Sequence, residues 1–87
     1  MHAVVVRLTI NDLEADLDTL HSQIVPRVSQ SPGFITGFWT RKDHTGLSMI
    51  IFDSEAAANA ATERVQVGTA DVASLDDVEV REVVAHA

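Results

Sequence analysis

Cysteine and tyrosine are absent from this 87-residue chain. Without cysteine there is no disulfide framework, and no thiolate is available as a metal ligand or nucleophile. Basic residues are scarce: 6 lysines and arginines stand against 13 acidic residues, and the formal net charge is −7 at pH 7. Because nucleic acids and anionic membranes are bound by basic patches, this balance disfavours both as partners.

Long apolar runs are also missing. The first residues lack the basic segment and apolar run of a signal peptide, and no stretch is long enough to span a bilayer, so we expect a cytoplasmic protein. The sequence shows no linker, repeat or low-complexity segment, and its length predicts one domain over residues 1–87. Folding of so small a domain buries only about two thirds of the unfolded surface, and dimerisation would add stability.

The densest apolar region is a predicted β-hairpin, which holds the only tryptophan and all three phenylalanines. Residues 34–41 and 47–52 are rich in aromatic and β-branched side chains, as strands are. The polar stretch 42–46 ends in glycine and predicts the loop between them.

Both faces of this hairpin are apolar. If Arg41 lies opposite Leu47, then Trp39 lies opposite Met49 on one face, and phenylalanine and isoleucine side chains fill the other. A hairpin with one solvated face would alternate apolar and polar residues. We therefore expect helices of the same chain to cover one face and a second copy of the chain to cover the other.

Residues 2–10 predict a first strand, and a helix follows it. Asn11 is the predicted N-cap of that helix, with Glu14 completing a capping box. Pro26 lacks the amide hydrogen that would bond the Ser22 carbonyl, which predicts a kink or an early end. An apolar stripe recurs at helical spacing through Leu13, Leu17, Leu20, Ile24 and Val28.

A second helix is predicted to begin at Asp53-Ser54-Glu55, which supplies a capping residue, and to fade between Arg64 and Gly68. Residues 67–77 are ambiguous, with a short helical turn around Val72 and Leu75 as one interpretation. Residues 78–85 predict the last strand. Since crossover connections are right-handed, the order βαββαβ predicts a ferredoxin-like α+β fold, an antiparallel sheet with both helices on one face.

The Ser31-Pro32-Gly33-Phe34 entry to the second strand and the passage 52–57 resemble the dimeric α+β barrel superfamily. More narrowly, the chain is similar to the small antibiotic-biosynthesis-monooxygenase-like proteins. The resemblance implies a barrel formed by two sheets across a homodimer, and a ligand cleft between sheet and helices. It also implies quinone-forming oxygenation without a cofactor.

Haem degradation, another activity of that superfamily, is disfavoured by the residues. Its haem-degrading members place an asparagine in the first strand, a tryptophan in the third and a histidine in the second helix. Here residues 2–10 contain no asparagine, the tryptophan falls in the second strand, and residues 54–66 contain no histidine.

The candidate site lies on the helix side of the sheet, between the first helix and the central strands. Strand parity leaves open whether Trp39 faces the helices or the partner. If it faces the helices, Trp39 is the aromatic wall of the site and Met49 an adaptable ligand contact beside it; His21 is the candidate acid or base. Each has a structural alternative: Trp39 as a core or interface residue, His21 as a histidine bonded to backbone or solvent. Glu82, if desolvated, is an alternative base.

Two interpretations of function stay open. One is a cofactor-independent oxygenase of a small aromatic substrate, and the other is a non-catalytic ligand-binding or structural homodimer. A metal site is not predicted: His2 and His86 fall near the two chain ends of antiparallel neighbouring strands, but two histidines without a third ligand make a weak site.

Overall fold

The structure is a computed structural model, and it describes residues 1–65 and 73–87. Its four strands are β1 (His2–Ile10), β2 (Phe34–Lys42), β3 (Thr45–Phe52) and β4 (Ala73–Glu82). They form one antiparallel sheet in the order β2-β3-β1-β4, and the helices pack on one face of it. This confirms the predicted ferredoxin-like α+β fold.

The hydrophobic core lies between that face and the helices. Val4 and Val6 of the central strand β1 are buried there with Ile50 and Phe52 of β3. Phe34 packs edge-on against Phe52, with ring centroids 6.3 Å apart and planes at 79°. Each large apolar side chain that is fully buried contributes roughly 1.5–3 kcal/mol, so this cluster fixes the helices on the sheet.

The first helix is built from three contiguous segments: α1 (Leu13–Thr19), a π-helical turn (Leu20–Ile24) and α2 (Val25–Ser29). Its N-cap is Asp12, whose Oδ1 accepts a hydrogen bond of 3.0 Å from the Ala15 amide. The predicted cap at Asn11 is therefore wrong by one residue. Asp12 has the extended backbone that an N-cap needs (φ −129°, ψ 108°), and Asn11 lies too early to reach the first-turn amides.

The presence of Pro26 predicted a kink or an early end of the helix. The structure has its irregularity just before the proline. Within the π turn the Val25 amide donates to the Leu20 carbonyl, five residues back. Pro26 then occupies the first turn of α2, where a missing amide hydrogen costs least. The helix continues past Pro26 to Ser29.

The hairpin register differs from the predicted one by one residue. β2 runs to Lys42 and β3 begins at Thr45, so the loop is only Asp43-His44, with Asp43 in the left-handed region at φ 54°. Trp39 consequently pairs with Ser48. The longer loop was predicted because residues 42–46 are polar, but Lys42 and Thr45 pair across the tight turn.

This one-residue difference in register decides which face of the sheet each hairpin side chain occupies, because a shift of one residue moves a side chain to the opposite face. Trp39 faces the helices and packs against the core. Met49, which pairs with Phe38, lies on the far face, the side of the sheet turned away from the helices.

The end of the chain also departs from expectation. Leu75 lies within β4 rather than in a helical turn, because β4 pairs along the full length of β1 and so begins at Ala73. Val72, the other half of that prediction, lies outside the described residues. Asp76 is the extra residue of a β-bulge, and its Oδ2 accepts a 2.8 Å hydrogen bond from Thr9.

The second helix, α3 (Glu55–Val65), begins as predicted. The Ser54 hydroxyl accepts a hydrogen bond of 3.1 Å from the Ala57 amide, which caps the first turn. Ala58 and Ala61 are buried against the sheet, where their small side chains allow close packing.

Candidate functional site

A cleft of about 320 Å³ lies between the first helix and the sheet, at the end of the sheet nearest the hairpin turn. This volume is at the lower end of the range for small-molecule sites, ~300–1,000 Å³. Its lining is mostly aliphatic: Val6, Leu8, Ile10, Leu17, Leu20, Ile24, Val28 and Ile50, with Asp16, Trp39, Thr40, Arg41, Gly46 and Ser48.

Small residues of β3 open this space. Along the helix-facing side of β3 the residues are Gly46, Ser48, Ile50 and Phe52. The two large side chains fill the core, whereas the two small ones leave room beneath the first helix. The cleft therefore continues the core layer at the place where β3 contributes only the small residues Gly46 and Ser48.

Trp39 forms one wall, and Gly37 sets its position. A Cβ atom built on Gly37 would lie 2.9 Å from Cη2 and 3.0 Å from Cζ3 of the indole. The ring thus lies close along β2 over the glycine, where any side chain would displace it. In this position the half-buried indole lines the cleft rather than filling it.

Asp16 is the buried ionisable group of the cleft. Only 5% of its surface is exposed, and no hydrogen bond from residues 1–65 or 73–87 reaches its carboxylate. Burial raises the pKa of the Asp16 carboxyl, and the nearby Arg41 guanidinium partly offsets that rise. A carboxylate with a raised pKa in an apolar cleft has the properties of a general base or acid.

Arg41 closes the hairpin end of the cleft. Its Nη1 donates a 3.2 Å hydrogen bond to the carbonyl of Leu13, in the first turn of α1. This contact ties the edge strand β2 to the start of the helix and holds a positive charge beside Asp16. The cleft is polar at this end and apolar toward Ile24 and Ile50.

Of the predicted site residues, the structure brings only Trp39 into this cleft. His21 is exposed and does not line it, because the stripe residues Leu17, Leu20 and Ile24 face the sheet and His21 is rotated away from them. Met49 lies on the far face, as the register requires. Glu82 is exposed at the end of β4, opposite His2.

Asp16 was not among the site residues predicted from the sequence. A signal for it exists in the sequence. Asp16 follows Leu13 by three residues and precedes Leu20 by four, so it falls within the apolar stripe and not on the solvated side. A charged residue inside such a stripe predicts a buried carboxylate.

The described residues 1–65 and 73–87 contain no group of three or more histidine, aspartate or glutamate side chains placed to hold a metal ion. His2 instead approaches Glu55, with 3.3 Å between Nε2 and Oε2. None of the helices in the part of the chain that the structure describes is both long and apolar enough to cross a membrane.

The fold is similar to that of MupZ from Pseudomonas fluorescens, known from a crystal structure. The TM-score is 0.74 at 14% sequence identity, and the match covers 91% of this chain and 69% of MupZ. At this identity the similarity shows the fold alone. No protein-family model matches the chain, and no curated protein matches it either.

Proposed function

We propose that this protein is a cofactor-independent oxygenase of a small planar aromatic substrate, with Asp16 as the base. One observation carries the proposal: Asp16, which is only 5% exposed, lines a mostly apolar cleft beside an indole. Burying a carboxylate is costly, and a raised pKa suits proton transfer near neutral pH. Asp16 takes the role for which the sequence had suggested His21.

The proposed chemistry uses the substrate itself as the reductant of dioxygen. Asp16 accepts the proton of a phenol or enol, and the resulting anion is rich in electrons. It transfers one electron to dioxygen, and recombination of the two radicals forms a carbon–oxygen bond and a peroxide anion, to which Asp16 returns the proton. The resulting hydroperoxide loses water: the O–O bond breaks, the hydrogen on the oxygenated ring carbon leaves with the outer OH, and a quinone remains. The balance is one phenol and one dioxygen to one quinone and one water.

The other residues of the cleft have supporting roles in this proposal. The indole of Trp39 offers a face on which a planar ring can stack. The guanidinium of Arg41 stabilises the substrate anion as it forms, since a fixed positive charge beside a low-dielectric cleft acts strongly. The aliphatic lining excludes water, which would otherwise protonate the anion.

A homodimer is part of the proposal. On the far face, Phe38 is 62% exposed and pairs with Met49, and Leu47 lies beside them. Monomeric proteins rarely expose adjoining apolar side chains of this size. The sequence resemblance to the dimeric α+β barrel superfamily supports a second sheet of the same chain as their cover.

Turnover of 1-naphthol and anthrone tests the oxygenase. Purified protein treated with a chelator is mixed with each compound, and dioxygen uptake and quinone absorbance are recorded together. We expect uptake matched by quinone formation, and a loss of about 10²–10⁴-fold in Asp16→Asn, the usual contribution of a general base.

The matched control is His21→Asn, which removes an exposed ionisable side chain from the same helix and should keep full activity. Loss of turnover in His21→Asn but not in Asp16→Asn would overturn the assignment of the base. If the wild-type protein binds both compounds but consumes no dioxygen, the non-catalytic ligand-binding homodimer replaces the oxygenase.

A further inference from the structure

Ser48 is a second buried polar side chain in the cleft. It is only 5% exposed, it lies on the helix-facing side of β3, and it lines the same space as Asp16. No hydrogen bond joins its hydroxyl to another of the described residues, whereas most serine hydroxyls of the described chain bond a main-chain carbonyl or amide. Its hydroxyl can both donate and accept.

Because Ser48 lines the cleft, its hydroxyl is reachable from that space, and a ligand oxygen can take the place of the water that otherwise bonds it. Ser48 pairs with Trp39 across the two strands, so its hydroxyl emerges in the floor of the cleft next to the indole wall. Asp16 faces the same space from the helix above. A ring stacked on Trp39 therefore has one polar group on the sheet side and another on the helix side.

We infer that Ser48 is the second polar anchor of the cleft. Its hydroxyl hydrogen-bonds one oxygen of the ligand, while Asp16 accepts the hydrogen bond of a different ligand oxygen. This rests on the proposed ligand site and not on the oxygenation step. Two separate anchors fix the rotation of a flat ring in its own plane, which stacking on an indole leaves free. Ser48 then distinguishes ligands with two oxygen substituents from ligands with one.

Calorimetric titration under nitrogen tests this inference, since the absence of dioxygen prevents turnover. The probes are 1-naphthol, with one hydroxyl, and the 1,3-, 1,5- and 1,8-dihydroxynaphthalenes, with two. We expect Ser48→Ala to weaken at least one dihydroxynaphthalene by about tenfold, a typical value for one lost hydrogen bond, and to leave 1-naphthol nearly unchanged.

Two further variants complete the design. Ser74→Ala removes the hydroxyl of an exposed strand serine outside the cleft and should change no affinity. Ser48→Thr keeps a hydroxyl at the same position and should retain the preference for two oxygens. Thermal unfolding of each variant shows that the fold is kept, which is expected because each change alters few atoms.

The outcomes separate this inference from the oxygenase. A Ser48-dependent preference without any turnover in air supports the anchor and rejects only the oxygenase. An equal effect of Ser48→Ala on all four probes, or no effect on any, overturns the anchor while leaving the ligand site in place. If no probe binds the wild-type protein, the ligand site and the anchor both fail.

Discussion

Asp16 shows how one residue couples ligand chemistry to folding. Its carboxyl pKa is raised in the folded chain by burial, so the folded state holds the proton more tightly than the unfolded state does. The stabilisation from this group is complete below the unfolded pKa of aspartate, ~3.9, and is lost as the pH rises through the folded value. Asp16 therefore contributes less stability at neutral pH than in acid.

Asp16→Asn should accordingly raise the melting temperature more at pH 7 than at pH 4. The variant removes a buried charge at pH 7, while near pH 4 the wild-type carboxyl is increasingly neutral itself. Melting curves at both pH values measure the difference. Asp18→Asn, on the exposed side of the same helix, controls for the loss of a helix carboxylate. A larger gain at pH 4 than at pH 7 would contradict the sign of the pKa shift.

Gly37→Ala tests the position of the indole wall. The added Cβ would lie 2.9 Å from the ring, so the indole must move, and the open space beside it is the cleft. Overpacking of this kind typically costs ~1–3 kcal/mol of folding free energy, so we expect a lower melting temperature. Because the displaced indole occupies part of the cleft, we also expect weaker binding of 1-naphthol and a change in tryptophan emission.

The matched control for that variant is Gly46→Ala. A Cβ there would meet Ile10 at 3.5 Å and Leu8 at 3.6 Å, which are ordinary contacts. Its melting temperature and tryptophan emission should stay close to those of the wild-type protein. Equal losses of melting temperature and equal changes of tryptophan emission in both variants would mean that glycine matters at these positions for the strands and not for Trp39.

At the scale of elements, the first helix positions the site. Its N-cap fixes where α1 begins, and the π turn widens the helix where Leu20 and Ile24 line the cleft. π turns inside helices are frequent at functional sites, because an inserted residue changes which side chains face inward. A regular helix over the same residues would rotate α2 against the sheet relative to α1.

Asp12→Ala should destabilise the protein by about 1 kcal/mol, and so lower its melting temperature by roughly 4–8 °C, because the Ala15 amide loses its partner. Asn11→Ala should have little effect, since the exposed Asn11 is not the cap. Thermal unfolding compares the two variants directly. A larger loss of melting temperature in Asn11→Ala than in Asp12→Ala would show that Asn11 is the N-cap.

At the scale of the whole molecule, the two faces of the sheet differ in what covers them. The helices cover one face, and the cleft is a gap in that cover. On the far face, Phe38, Leu47 and Met49 stay substantially exposed within the chain. β4 places acidic side chains on the same face. The exposed apolar side chains of the far face therefore lie on the hairpin strands β2 and β3.

Phe38→Asp should convert the proposed homodimer into a monomer, because a charge would then lie where the two sheets pack. Sedimentation at micromolar concentration measures the change. Val84→Asp is the control, since Val84 is highly exposed beyond the end of β4. A wild-type protein that sediments as a monomer would remove the dimer from the proposal, and an unchanged dimer in Phe38→Asp would place the interface elsewhere.

The element order and the fold were predictable from the sequence because they depend on local signals. Apolar periodicity marked the first helix and β1, and Ser54 marked the start of α3. The Pro32-Gly33 pair also marked the entry to β2 correctly. Glycine is needed there, since Gly33 adopts φ 83° and a Cβ would lie 2.5 Å from an Asp53 oxygen. Each of these signals acts over a few residues of chain.

The candidate site was only half predictable. A site on the helix side was predicted, and Trp39 could line it only if its face was the helix side; the cleft does contain Trp39 and Asp16, but not His21 or Met49. A one-residue change in the hairpin register moved Met49 to the far face. For His21 and Asp16, the outcome depended on which residues of the first helix turn toward the sheet.

The amino-acid sequence by itself determined the order and type of the elements and the fold class, because hydrophobic periodicity and capping are properties of neighbouring residues. Only the tertiary structure decided which face Trp39 occupies and that Asp16 and Ser48 share one cleft. Those facts depend on cross-strand register and on the packing of a helix against a sheet, where a shift of one residue reverses the result. The chemistry proposed for the cleft therefore depends on contacts between residues far apart in the chain.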